Sequence, residues 1–434
     1  MSPSVQTTSK FSLICAGCGN RFPADTTSCP RCPGALLRAE YVAADFEPLD
    51  RGDLFRFLPW LPVRVPVDTG IGPVVYAAEK LADHLRMKDL RVGFNGYAPE
   101  LGARNATGSF KDYEALPTLL SFRERGLRTA VLASVGNSAR AFAHAAVSIG
   151  FPVTIVVPES VLSRLWLPMP PTEAVRLIVL EESNDYASAI RVSAAFAERS
   201  ELPSEGGARN IARRDGMGTV MLEHARAFGE LPRHYVQAVS SGTGGIAAWE
   251  ASMRLIGSGQ FGDRLPQLHL VQNKPFSPLH DAWSRGVPIR PDENIHDQLR
   301  RINAIAADVL ANRNPPFAIP GGVRDALRAT NGSTYAVSNS EIENAQRLFM
   351  ECEGVPIGPE SGAALAALRQ ALAGQSIGPD ESVLLNVTGN NESLIQRDYE
   401  IHPIKPWRTI PPEHTSGDAL ERWIDRASEE FQIA

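Results

Sequence analysis

The sequence predicts an α/β protein built on two open, mostly parallel sheets flanked by helices, with a small four-cysteine ribbon ahead of them. Three observations carry that prediction. From about residue 70 onward, short and continuously apolar runs alternate with helical patterns, as strands covered on both faces require. Those runs end in turns rich in Gly, Ser, Thr and Asn, where open parallel sheets collect their ligands. Four of the five cysteines fall between positions 15 and 32. A chain of 434 residues exceeds one ordinary core and suits two or three domains. The expected division is a ribbon over 1–45, a large unit formed by 46–125 with 240–434, and a smaller, mobile unit over 126–239.

In chain order, the ribbon comes first. Cys15-Ala-Gly-Cys18 and Cys29-Pro-Arg-Cys32 are two knuckles ten residues apart, each aiming two sulfurs at one point. Four thiolates suit tetrahedral zinc and leave no open position for catalysis, so Cys15, Cys18, Cys29 and Cys32 are expected to hold a structural ion. Only Arg21 and Arg31 lie among the knuckles, which argues against a nucleic-acid ribbon. Cys352, far away, reads as a small buried side chain. Residues 55–62, rich in Pro and aromatics, read as an extended segment lying on the body.

Strands are expected over 91–95, 129–134, 153–158, 175–180, 234–239, 267–272 and 382–388. Helices are expected over 139–149, from 163 to 167, and over 186–199, 246–255 and 416–430. Residues 203–219 and 312–322 read as long functional loops, and 286–294 as a solvated insertion. Net charge is −6 with pI near 5.9, which argues against nucleic-acid and anionic-lipid partners. The most apolar tract, 130–158, is interrupted by Asn137, Arg140 and His144, so no membrane span is expected. Residues 1–10 are polar, unlike a secretion signal, and the expected location is the cytoplasm.

Four motifs sit where strands end. Asn105-Ala-Thr-Gly-Ser-Phe-Lys-Asp112 places Lys111 in a small-residue loop. Ser134-Val-Gly-Asn-Ser138 opens a helix whose free N–H groups suit an anion. Ser240-Ser-Gly-Thr-Gly-Gly245 forms a phosphate cradle between strand and helix, without the Gly-Lys-Ser/Thr of a P-loop. Asn386-Val-Thr-Gly-Asn-Asn391 closes the set. Singly, each motif is weak: the lysine reads first as a surface charge, the second motif as much as a plain helix cap, and the Gly-rich turn less readily as a mere tight connection.

In this order they resemble the fold type II (tryptophan synthase β-like) pyridoxal phosphate enzymes, the group of threonine synthase and the serine β-replacing synthases. The ribbon is similar to that of microbial threonine synthases. The resemblance implies pyridoxal 5′-phosphate as cofactor, bound in the large unit, with Lys111 as its Schiff-base lysine and proton-transfer base. It further implies Asn137 at the ring hydroxyl, Ser241, Gly242, Thr243, Gly244 and Gly245 around the phosphate, and Thr388 at the pyridine nitrogen. A neutral hydroxyl there weakens the ring as an electron sink, disfavouring transamination and favouring loss of a β-leaving group. Ser109, Ser134, Gly136 and Ser138 would then face the substrate.

The chain departs from ordinary threonine synthases where Tyr113-Glu114 follows Lys111-Asp112 in place of Arg-Gly. That departure, with Pro158-Glu-Ser160, Arg164-Leu-Trp166, Gln272-Asn-Lys-Pro-Phe276, Arg313-Asn-Pro-Pro-Phe317 and the Arg-rich stretch from Glu205, resembles the cysteate synthases. The resemblance implies that O-phospho-L-serine and sulfite become L-cysteate and phosphate. Arg140, Arg209, Arg213 and Arg214 are the candidate anion ligands. Threonine synthesis from O-phospho-L-homoserine and water is the alternative. The expected assembly is a homodimer.

Overall fold

The computed structural model describes residues 9–183, 185–390 and 392–433. A six-stranded sheet runs in the order Ser333–Val337, Gln267–Asn273, His234–Ala238, Val383–Val387, Leu90–Phe94, Val74–Ala77. Its neighbours are parallel except at the Val74–Ala77 edge, which is antiparallel. A four-stranded sheet, Arg408–Ile410, Val175–Leu180, Val153–Pro158 and Ala130–Ala133, is parallel throughout. Strands such as Val-Thr-Ile-Val-Val-Pro and Val-Leu-Leu-Asn-Val are buried from end to end because helices cover both faces of each sheet. On the six-stranded sheet one face packs Val92, Val236 and Leu385 against Leu365 and Leu368, and the other packs Leu270 and Leu384 against Ile246 and Leu255. The N-terminal ribbon is three antiparallel strands, Arg21–Phe22, Phe11–Cys15 and Leu37–Tyr41.

Helix Lys111–Glu124 packs with the core of the four-stranded sheet, yet its entry stands at the C-terminal end of the interior strand Val383–Val387 of the six-stranded one. Its entry is pinned there, because Phe110 N–H donates to Thr388 O at 2.9 Å and Ser109 bridges Gly389.

Four expectations need correction. Strand His234–Ala238 belongs to the six-stranded sheet rather than to a unit ending at 239, and Arg408–Ile410 belongs to the four-stranded one. Most of the supposed loop 203–219 is the start of helix Ile211–Phe228. Gly216 and Gly218, which read as loop residues, serve close packing: a Cβ on Gly216 would stand 1.9 Å from Tyr113 O. The helix expected from 163 to 167 is a 3-10 turn, Glu159–Arg164, followed by strand Trp166–Leu167, which pairs with His402–Pro403. The segment expected to be extended at 55–62 is largely a 3-10 helix, Leu54–Trp60, whose first turn is capped by Asp53.

Candidate active site

Polar side chains from three strand ends converge under one cavity. Tyr113 Oη donates to Asn95 Oδ1 (3.1 Å), Asn95 Nδ2 to Asn386 Oδ1 (2.8 Å) and Asn386 Nδ2 to Tyr235 Oη (2.6 Å). Tyr235 Oη in turn donates to Gln237 Oε1 (2.7 Å). All five are buried, so this satisfied chain locks the floor on which the functional loops stand.

Above it, the cavity is lined by Ser109, Lys111, Ser134, Asn137, Ser138, Arg213, Ser241, Gly242, Thr243, Gly244, Glu360 and Thr388. It adjoins a wider cleft of about 1330 Å³ that shares Tyr186, Arg213, Ser241, Thr243 and Asn312 with it. The glycines of the third motif are demanded by contact. Gly242 sits at φ +80°, and a Cβ there would meet Val323 Cγ2 at 2.2 Å. A Cβ on Gly244 would stand 2.3 Å from Gln237 Nε2, and one on Gly245 2.9 Å from Leu270 Cδ2. Helix Thr243–Gly257 makes its first backbone bond from Ile246 N–H to Gly242 O, and Thr243 N–H donates to Ser241 Oγ, leaving the Gly244 and Gly245 N–H groups for an anion. The Ser241 and Thr243 hydroxyls, 2.7 Å apart, add donors.

Lys111 opens its helix, and its Nζ lies 3.1 Å from Glu114 Oε2 and 4.8 Å from the Phe110 ring centroid. Burial pulls its amine below the ordinary lysine pKa; Glu114 opposes that pull and Arg213 adds to it. Glu114 itself is fully buried and engages three groups. Besides Lys111 it accepts Ser138 Oγ at 2.6 Å and pairs with Arg213 at 2.7 Å. Burial works to raise its pKa, but Arg213 and Lys111 outweigh that and hold the carboxyl below the ordinary value. Arg213 also pairs with Glu205 at 2.8 Å. Glu360, at the start of helix Pro359–Ala373, is pushed upward by burial.

Of the four candidate arginines, only Arg213 lines the cavity. Arg209 lines the wider cleft and donates to Pro33 O and Gly34 O of the ribbon. Arg214 is buried away from the cavity, paired with Glu250 (2.8 Å) and donating to Leu37 O of the ribbon. Arg140 stands behind Asn137, donating to its Oδ1 at 2.7 Å. Ser134 Oγ accepts from Gly136 N–H and Ala139 N–H, which caps helix Asn137–Ile149. Glu360, Gln237 and Asn312 were missed as cavity residues, and Glu114 as the buried acid beside Lys111. The one available signal was the Tyr-Glu departure after Lys111-Asp112. Asn391 of the fourth motif lies outside the described residues.

The residues present fit pyridoxal phosphate. A glycine cradle at a helix start receives the phosphate, a lysine of depressed pKa suits condensation with an aldehyde, and a neutral Thr388 borders the cavity. In the ribbon, the four cysteine sulfurs lie within 4.8 Å of one another, a spacing and donor set that fit one tetrahedral ion. Gly17 N–H approaches Cys15 Sγ at 3.3 Å, as a knuckle requires. Among the described residues, no helix is long and apolar enough to cross a membrane.

Comparison with known proteins agrees. Residues 101–389 match the family described as pyridoxal-phosphate dependent enzyme. The chain is similar to solved structures of a pyridoxal 5′-phosphate-dependent aspartate racemase (TM-score 0.57, 18% identity, 74% of this chain and 92% of that one). It is also similar to threonine deaminase isoform 2 from Solanum lycopersicum (TM-score 0.54, 15% identity, 75% and 86%). Those likenesses establish the fold. The sequence is 46% identical over 398 residues to cysteate synthase of Methanocella paludicola, covering 91% of this chain and 93% of that protein. It is 44% identical over 421 residues to cysteate synthase of Methanoregula boonei, covering 96% and 98%. Fold and site thus define a pyridoxal-phosphate-dependent enzyme of fold type II. Within that class, the chain belongs to the cysteate synthase family.

Proposed function

We propose that the enzyme replaces the phosphate of O-phospho-L-serine with sulfite, giving L-cysteate and phosphate, with Lys111 as the cofactor lysine. The Cβ–O bond to phosphate breaks, a Cβ–S bond to sulfite forms, and the proton taken from Cα returns to it. The observation that carries the reading is the Lys111–Glu114–Arg213–Glu205 cluster at the cavity, joined to near-full-length likeness to cysteate synthases. Bound pyridoxal phosphate supplies an electron-withdrawing ring that acidifies Cα and eases departure of the β-substituent.

The chain's own residues do the rest. Asn137 and Thr388, which line the cavity, would hold the ring at its hydroxyl and its nitrogen, and the turn from Ser241 to Gly245 would hold the phosphate. The turn at Ser134, Gly136 and Ser138, with Ser109, receives the substrate carboxylate on backbone N–H and hydroxyl groups. Lys111 Nζ moves the Cα proton. When Lys111 holds that proton, two cations and two carboxylates balance, so Glu114 stabilises the loaded base while Arg213 keeps the unloaded amine within reach of neutrality. Arg213 is neutralised by two acids, so the cleft arginines, led by Arg209, are better placed to draw anions inward. The four-stranded unit is taken to move over the cavity, the four ribbon thiols to hold zinc, and the enzyme to work as a cytoplasmic homodimer.

The test supplies purified, cofactor-loaded enzyme with O-phospho-L-serine, with and without sulfite, and separately with O-phospho-L-homoserine. Sulfite-dependent cysteate formation with stoichiometric phosphate is expected. Threonine and phosphate from phosphohomoserine, with no cysteate from phosphoserine, would overturn the assignment.

A further inference from the structure

Arg140 is buried, 9% exposed, one turn into helix Asn137–Ile149, on the same face as Asn137. Its Nη2 donates to Asn137 Oδ1 at 2.7 Å and its Nη1 to Arg164 O at 3.2 Å. Among the described residues its Nε has no partner, and its guanidinium stacks 4.7 Å from the centroid of the Trp166 ring. Among the described residues, no carboxylate lies within ion-pair distance of it. The acids around it act from further away: Asp112 on helix Lys111–Glu124, Glu360 at the start of helix Pro359–Ala373, and Glu392 before helix Ser393–Asp398. Arg164, the other cation on that side, works against its charge. Burial lowers its pKa to about 10, so it remains a cation at neutral pH. A buried cation without a direct counter-ion is costly unless its field is used.

The hydrogen bond to Asn137 shows where that field goes. A guanidinium has donors only, so the amide oxygen of Asn137 must be the end that faces Arg140. The amide NH₂ is then the end left for the cavity that Asn137 lines. We propose that Arg140 is a positioning residue: it fixes the Asn137 amide so that a polarised N–H is offered to the cofactor's ring hydroxyl and holds that oxygen in its anionic form. This rests on the placement of Asn137 beside the ring hydroxyl. It also removes Arg140 from direct substrate binding, since Asn137 stands between it and the cavity.

The readout is the pH midpoint at which the visible absorption of the cofactor-loaded, full-length protein titrates. A nearby cation favours release of the proton held at the lysine–cofactor linkage, so removing the cation raises the midpoint. R140Q is expected to raise it by about one pH unit. N137A is expected to do the same, and the double variant to add nothing. R140K, which keeps a charge and a donor, should shift the midpoint less than half as far. If R140Q does not fold, R140M preserves packing on Trp166 and reads the same quantity. An unchanged midpoint in R140Q or R140M beside a shifted N137A would overturn the role of Arg140 and leave Asn137 in place. No shift in N137A would overturn the placement of Asn137 and this inference with it.

Discussion

The molecule has two polar centres, and they are assembled in opposite ways. The ribbon draws its four sulfurs from within 18 positions, Cys15 to Cys32, on turns between short strands. The cavity draws Lys111, Asn137, Gly242 and Thr388 from across nearly 280 positions and sets them on the ends of two sheets. The first has a small core, Leu13, Ala35, Leu37 and Ala39 with Cys15 and Cys29, and its four sulfurs are grouped as one tetrahedral ion would require. The second rests on cores that cover both faces of both sheets and on a buried polar chain from Tyr113 to Gln237. Two consecutive arginines on helix Ile211–Phe228 join the centres: Arg213 turns to the cavity and Arg214 to the ribbon. The difference predicts that the centres can be damaged separately.

The largest expected effect is at the cavity. Lys111→Ala should lower turnover by at least about 10³-fold, measured as phosphate release, with unchanged metal content in the ribbon. Next comes Gly244→Ala, whose added methyl would collide with Gln237; cofactor affinity, followed by fluorescence titration, should fall by more than about tenfold. Glu114→Gln should cost about 3 kcal/mol in denaturant unfolding at pH 7, because it breaks a buried charge cluster. The sign of its pH dependence follows from the depressed carboxyl. That stability is present above the ordinary value near 4.5 and lost as pH falls through the lower folded value. The gap between wild type and Glu114→Gln should therefore narrow below about pH 4.5, and a constant gap would contradict the ionised assignment.

At the junction, Arg214→Met should loosen the ribbon, seen as faster amide exchange in residues 11–41, with a change of less than about threefold in kcat. The smallest effect on chemistry is expected from stripping the thiol-bound metal: a lower melting temperature with the cofactor spectrum unchanged. Loss of the cofactor band with the metal would show that the centres are one unit.

The same contrast explains what could be read from sequence. The ribbon was legible because its ligands are local and their spacing is the signal. The cavity was legible where small residues must sit at strand ends: Lys111, Asn137, Ser241 to Gly244 and Thr388 all line it, while Gly245 packs against Leu270. Glu114 was not, because a Glu on the first turn of a helix looks like any dipole-compensating acid until Arg213 arrives from 99 positions away. Helix Ile211–Phe228 was mistaken for a loop because Gly216 and Gly218 mimic turn chemistry while serving interhelical contact. Arg140 and Arg214 were grouped with Arg213 by charge alone, and only their partners separate them.

The central claim is that Lys111 carries the cofactor. Reducing the loaded enzyme with borohydride, digesting it and locating the pyridoxyl mass among its six lysines, Lys10, Lys80, Lys88, Lys111, Lys274 and Lys405, tests it directly. The pyridoxyl group should appear on the peptide containing Lys111 and vanish in Lys111→Ala. Its appearance on Lys274 or any other lysine would contradict the account.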